Sequence, residues 1–117
     1  MLSDAGVERV YLACGSTDMR KSIDGLSALV SEAFQLDPFA PCLFVFCNRQ
    51  RDKLKILYWE DCGFWLYYRR LERGRFQWPE AAAGPLIISR RQLQWLLDGL
   101  TLEQRQAHPA VNARTVV

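Results

Sequence analysis

Between residues 42 and 71 the chain carries three apolar runs with almost nothing between them. CLFVFC spans 42–47, KLKILYWE spans 53–60 and FWLYYRRL spans 64–71, joined by five and three residues. Connections this short allow only hairpins, because a parallel crossover needs a dozen residues or more. The three runs therefore predict an antiparallel meander, with Asn48-Arg49-Gln50-Arg51-Asp52 and Asp61-Cys62-Gly63 as its turns. CLFVFC has no polar member, so it is expected at the centre of the sheet, covered on both faces.

The flanking segments add to this ribbon. Residues 7–14, VERVYLAC, read as a strand that turns at Gly15-Ser16-Thr17-Asp18 into a helix. Thr17 or Asp18 is the expected cap of that helix. Met19, Ile23, Leu26, Val30 and Ala33 recur at helical spacing over 18–34, with Lys21 and Asp24 off the apolar face and Gly25 marking a close approach. Asp37-Pro38-Phe39-Ala40-Pro41 is a loop, Gly74 and Gly84-Pro85 interrupt the pattern, and Leu86-Ile87-Ile88 reads as a short edge strand. Ser89 then caps a helix carrying Leu93, Leu96 and Leu97, which stops at Gly99. The expected fold is α+β: a small antiparallel sheet of three to five strands packed with two helices. A chain of 117 residues can bury one core without staples. The expected domain is residues 1–100, followed by a flexible tail over 101–117, which is mostly polar and contains Pro109.

Alternation along the meander divides its side chains into two sets. Leu54, Ile56 and Tyr58, with Phe64, Leu66 and Tyr68, suit the core under the first helix. Lys53, Lys55, Leu57 and Trp59, with Trp65, Tyr67 and Arg69, mix rings and cations. One face built this way is a platform on which rings cover bases or sugars and guanidinium groups hold phosphates. The alternative is that the rings pack under the second helix while the cations reach outward.

The charge distribution follows the same segment. Net charge is only +2, yet Arg49 to Arg75 holds eight basic and four acidic residues, and twelve of the fifteen cations in the chain are arginine. Arginine forks suit phosphate and stack on rings. Candidate DNA contacts are therefore Arg20, Lys21, Arg49, Arg51, Lys53, Lys55, Arg69, Arg70, Arg73 and Arg75. Candidate stacking or protein-contact residues are Trp59, Trp65, Tyr67 and Trp78.

Other chemistries find little support. The single His108 leaves no material for a Ser–His or Cys–His nucleophile pair. Cysteines at 14, 42, 47 and 62 lack metal-ligand spacing, and Cys42 and Cys47, five apart on a strand, point to opposite faces. They read as small buried hydrophobes in a reducing compartment. Gly15-Ser-Thr-Asp-Met-Arg-Lys21-Ser22 is one residue from a phosphate-cradling loop, but Arg20 stands where a second glycine is needed. A helix N-terminus there could still hold a single backbone phosphate. The acids Asp18, Asp24, Asp52, Glu60, Asp61 and Glu72 sit in turns or beside cations, an unconvincing two-metal nuclease set. No apolar run approaches the length of a membrane span, and the first ten residues carry no export signal. No metal, cofactor or membrane is expected.

Three blocks carry a resemblance. TDMRKSIDGL at 17–26, LFVFCNRQRDKLKILYWEDCGFWLYYRRLERGRFQWP at 43–79 and ISRRQLQWLLDGL at 88–100 resemble the TnpB accessory proteins, the second open reading frame of insertion sequences of the IS-sixty-six type. The resemblance covers residues 7 to 100. It implies a bacterial, cytoplasmic, non-catalytic protein that assists DNA transposition alongside a separate transposase. Its expected partners are the DNA of the element ends, the transposase and other element-encoded proteins. A pure protein adaptor without DNA contact is the other reading. The resemblance assigns no residue roles. Among the positions that match its blocks, Gly63 and Gly74 suit turns, and Asp52 suits either a bridge to a neighbouring arginine or a cap on the hairpin.

Overall fold

The computed structural model describes residues 7, 9–80 and 84–104. Five strands form one sheet: β1 (Arg9–Leu12), β2 (Cys42–Cys47), β3 (Lys53–Glu60), β4 (Gly63–Arg70) and β5 (Leu86–Ile88), in the order β4-β3-β2-β1-β5. The predicted meander is β2-β3-β4, all antiparallel. The sheet as a whole is mixed, because β1 pairs parallel with β2 while β5 closes antiparallel on β1. Residues 13–41 supply the long crossover that a parallel pair requires.

Both faces of the sheet are covered. On one, Ala13, Leu26, Val30, Phe44, Phe46 and Leu57 pack around α1 (Ile23–Ala28) and the π-helical turn Leu29–Ala33 that continues it. On the other, Val10, Leu12, Val45, Leu54, Ile56 and Tyr58 meet Phe76, Trp78 and α2 (Arg90–Leu97). All six residues of β2 are buried, as its unbroken apolar run requires. Cys42 and Cys47 enter opposite cores, as their spacing predicts. Cys62 departs from the expected burial: it is exposed in the β3–β4 turn.

The first helix starts later than its spacing predicts. Residues 17–21 form a turn, with Lys21 N–H donating to the Asp18 carbonyl (3.1 Å), and Ser22 is the N-cap. Neither Thr17 nor Asp18 caps the helix. The reason is competition: Thr17 N–H donates to the Cys47 carbonyl (2.8 Å), which ties the segment to the sheet. Gly25 allows the close approach expected of it, since a Cβ there would lie 3.2 Å from Cβ of Lys21. The second helix is as predicted. Ser89 Oγ accepts from Gln92 N–H (3.0 Å) and Gln92 Oε1 accepts from Ser89 N–H (2.9 Å), a complete capping box. Of the tail expected over 101–117, residues from 105 onward lie outside the described residues. Leu102 packs against the α2-side core.

Candidate nucleic-acid interface

The register of β3 and β4 decides which side chains can act together. Asp61 and Cys62 both have positive φ (50° and 64°), closing a two-residue turn in which Glu60 pairs with Gly63. Lys53 is therefore opposite Arg70, Lys55 opposite Tyr68 and Trp59 opposite Phe64; Leu54 is opposite Arg69, Ile56 opposite Tyr67 and Tyr58 opposite Trp65. Opposed residues share a face, so the predicted grouping is corrected. Phe64, Leu66 and Tyr68 lie with Lys53, Lys55, Leu57 and Trp59 on the α1 side. Trp65, Tyr67 and Arg69 lie with Leu54, Ile56 and Tyr58 on the α2 side. No single face carries all the rings and cations.

Four predicted cations converge. Arg20, Arg49, Lys53 and Lys55 line a cleft of about 730 Å³ with Ser16, Thr17, Asn48, Gln50, Leu66 and Tyr68. Its walls are the 16–20 turn, the β2–β3 loop and the open ends of β3 and β4. Asn48 builds the loop: its Oδ1 accepts from the N–H groups of Asp52 and Lys53 (3.0 Å each), and its Nδ2 donates to Asp52 Oδ1 (2.7 Å). Lys55 Nζ donates to the carbonyls of Met19 (2.8 Å) and Lys21 (2.9 Å) and lies 5.8 Å from the Tyr68 ring centre. That ammonium fastens the 16–20 turn over the sheet. Lys21 contributes one of those carbonyls, and its side chain runs beside Gly25.

Within the cleft the cations differ in how committed they are. Arg20 forks onto the Asp18 carboxylate (2.7 Å at the closest), although its side chain is 89% exposed. The Arg20 guanidinium and backbone N–H hold the Asp18 carboxyl down to about 2. Arg49 and Lys53 make no side-chain hydrogen bond or ion pair among the described residues, so their charges are available. Tyr68 is 53% exposed at the rim. Sequence reasoning missed it, because its alternation matches Phe64 and Leu66. Those two are covered by the α1 layer; Tyr68 lies beyond it.

Several predicted contacts belong elsewhere. Arg51 is corrected from DNA contact to internal brace: its side chain is 12% exposed, donates to the Gly15 carbonyl (2.6 Å) and pairs with Glu80 (3.0 Å). Gly15, at φ +76° with space for a Cβ only 3.3 Å from the Glu80 carbonyl, makes that approach possible. Trp78 is also corrected. It is buried, and its Nε1 donates to the Ala13 carbonyl (2.9 Å). Arg70 points to the cleft side but pairs with Glu72 (2.8 Å). Arg69, Arg73 and Arg75 border a separate depression of about 570 Å³, together with Leu71 and Leu97. Trp59 packs edge-on against Phe39 and Phe64 at 4.8 and 4.9 Å between ring centres. Tyr67 is half-buried against the α2-side core and stacks with Trp65 (6.1 Å), which is 47% exposed.

The near-match to a phosphate-cradling loop forms no cradle: the N–H of Gly15 donates to the Pro79 carbonyl and that of Thr17 to Cys47. Among the described residues no three His, Cys, Asp or Glu side chains gather as metal ligands, and no helix is long and apolar enough to cross a membrane.

Fold and cleft define a small sheet domain, covered on both faces, with an arginine- and lysine-lined opening at one end. Comparison with known proteins narrows this class. The model of the family described as IS66 Orf2 like protein matches residues 8–107. Two uncharacterized proteins of Sinorhizobium fredii are similar. The one named y4hO is 41% identical over 100 residues, covering 86% of this chain and 87% of its own. The one named y4jC is 35% identical over 92 residues, 79% of each chain. No solved structure matches. The chain belongs to the IS66 Orf2-like family, the TnpB accessory proteins of those insertion sequences, and is a transposition-associated accessory protein.

Proposed function

We propose that this protein assists transposition by gripping the phosphate backbone of DNA in the cleft of Arg20, Arg49, Lys53 and Lys55, without catalysing strand transfer. The observation that carries this reading is the pair Arg49 and Lys53, unpaired among the described residues at the mouth of a cleft with an exposed tyrosine ring. Free cations at fixed positions release counterions on meeting phosphates, and the ring offers a sugar or base a stacking surface. Lys55 and Asn48 act as positioning residues, since their polar groups are already satisfied by the 16–20 turn and the β2–β3 loop. The site of action is the cytoplasm, where element DNA and transposase meet.

The test is fluorescence anisotropy of labelled element-end duplex across a salt series. Neutralising Arg49 and Lys53 together (R49Q/K53Q) is expected to weaken binding. It should also flatten the plot of log affinity against log salt by about 0.9 for each phosphate no longer neutralised. An unchanged slope removes the cleft from the interface. Equal affinity for scrambled duplex assigns sequence choice to the transposase. Absence of wild-type binding at low salt favours the protein-adaptor reading.

A further inference from the structure

β4 leaves the sheet into a loop that is pinned at both ends. Leu71 N–H donates to the Asp52 carbonyl (2.7 Å) and Phe76 N–H to the Arg51 carbonyl (2.8 Å), while the Phe76 ring is buried in the α2-side core. Between these anchors Gly74, at φ +76°, turns the chain in open space, with Arg73 and Arg75 as its neighbours. Arg69 precedes them on the α2 side of β4, opposite Leu54. The acid of this loop, Glu72, is taken by Arg70 (2.8 Å). Arg69, Arg73 and Arg75 are exposed and make no side-chain hydrogen bond or ion pair among the described residues. Their guanidinium groups stand on a braced backbone without counter-charge.

They border the depression of about 570 Å³, whose other walls include Leu71, Leu97 and the end of α2 at Asp98 and Gly99. Its mixed chemistry discriminates between ligands. The arginines suit acidic groups. Leu71 and Leu97 are half-buried against the α2-side core and leave apolar surface, which a phosphodiester backbone cannot use and a leucine-like side chain can. Asp98 is exposed and α2 ends there, so the rim also carries a carboxylate and the partial negative charge of helix carbonyls. A phosphodiester chain offers these groups only acceptors, whereas a peptide also brings backbone N–H donors. Residues 105–117 of the chain itself hold two arginines and no aspartate or glutamate, so their side chains do not match the site.

We infer that this depression is a docking site for an acidic segment of a partner protein. Its carboxylates meet Arg69, Arg73 and Arg75, and an apolar side chain between them packs on Leu71 and Leu97. The inference goes beyond the DNA reading and does not rest on it. The cleft of Arg49 and Lys53 opens on the α1 side of the sheet and this depression on the α2 side. With both occupied, one small sheet holds a protein partner on one face and DNA on the other.

The test is fluorescence anisotropy of a labelled synthetic peptide, paired leucines flanked by aspartates and glutamates, with the full chain and no DNA. Wild type is expected to bind it with salt-sensitive affinity. R69Q/R73Q/R75Q, all on exposed side chains, is expected to bind about tenfold more weakly, since several exposed ion pairs are lost together. Thermal melts check that the variant folds. A peptide with serine in place of leucine is expected to bind more weakly than its parent, and R49Q/K53Q is expected to bind the parent peptide like wild type. A wild type that does not bind at about millimolar concentration overturns the inference. So does a triple variant that binds like wild type, or equal affinity for the serine peptide. Loss of peptide binding in R49Q/K53Q would move the acidic segment to the other cleft and overturn it too. A flattened DNA salt slope in the triple variant, with no peptide bound by wild type, would assign these arginines to DNA instead. Salt-sensitive self-association that the triple variant abolishes would assign the site to a second copy of the chain. Failure of R49Q/K53Q to alter DNA binding overturns the other proposal and leaves this one standing.

Discussion

The two ends of the β3–β4 ribbon are built from the same two strands and have opposite chemistry. At the Lys53 end, Arg49, Lys53 and Lys55 line a cleft, and Arg70 stands opposite Lys53. At the Trp59 end, Phe39, Trp59 and Phe64 pack edge to face beside the acidic turn of Glu60 and Asp61, where Trp65 Nε1 donates to Glu60 Oε1 (3.1 Å). Alternation suggested segregation by face, apolar under a helix and ring-plus-cation outward. The actual segregation runs along the strands. Rings gather where aromatic neighbours meet, and cations gather where the sheet end opens to solvent and desolvation costs are small.

The comparison can be broken most severely at the supports of the basic end. Trp78→Ala removes a buried indole and its hydrogen bond to Ala13, and is expected to cost about 3–5 kcal/mol by chemical denaturation. A loss below about 1 kcal/mol would show the indole to be dispensable to the α2-side core. Asn48→Ala leaves the N–H groups of Asp52 and Lys53 without their acceptor and is expected to cost about 1–3 kcal/mol. DNA affinity should fall with it, because the β2–β3 loop then loses its shape. Retained affinity in a destabilised variant would separate loop order from binding.

Two arginines in one loop sharpen the contrast further. Arg51→Gln should lower the melting temperature, through loss of its bond to the Gly15 carbonyl, and leave the salt slope of DNA binding unchanged. Arg49→Gln should do the reverse, lowering the slope by about 0.9 with little thermal effect. Matching behaviour of the two variants would contradict the division between brace and contact. Smallest is the effect at Asp18. Its carboxyl is held down to about 2 by Arg20, so its folded value lies below the ordinary 3.8. Its contribution is complete above about 4 and is lost as pH falls toward about 2. Carboxyl chemical shifts followed by NMR should show Asp18 still ionised at about pH 3. Titration near its ordinary value would mean that the Arg20 fork is absent in solution.

Much of the fold was legible because local chemistry sufficed. CLFVFC, KLKILYWE and the Leu86–Ile88 strand fall where their apolar runs place them, and Ser89 with Gln92 starts α2 through bonds three residues apart. The cleft was partly legible: charge alone singles out Arg20, Arg49, Lys53 and Lys55, and they do come together. Their companion Tyr68 was hidden by its alternation, which is that of a core residue.

What the amino-acid order determined by itself was the set of elements, the hairpin connectivity and the concentration of arginine and lysine between residues 49 and 75. Tertiary structure decided the rest: the parallel pairing of β1 with β2, the late start of α1, and the fates of Arg51 and Trp78. Each depends on a partner distant in sequence, such as Cys47 for Thr17, Gly15 for Arg51 and Ala13 for Trp78. A short-range pattern records which side chains want burial or water. It does not record which carbonyl will be within hydrogen-bonding reach once the sheet has closed, and that geometry is what turned one arginine of the loop inward and left its neighbour free.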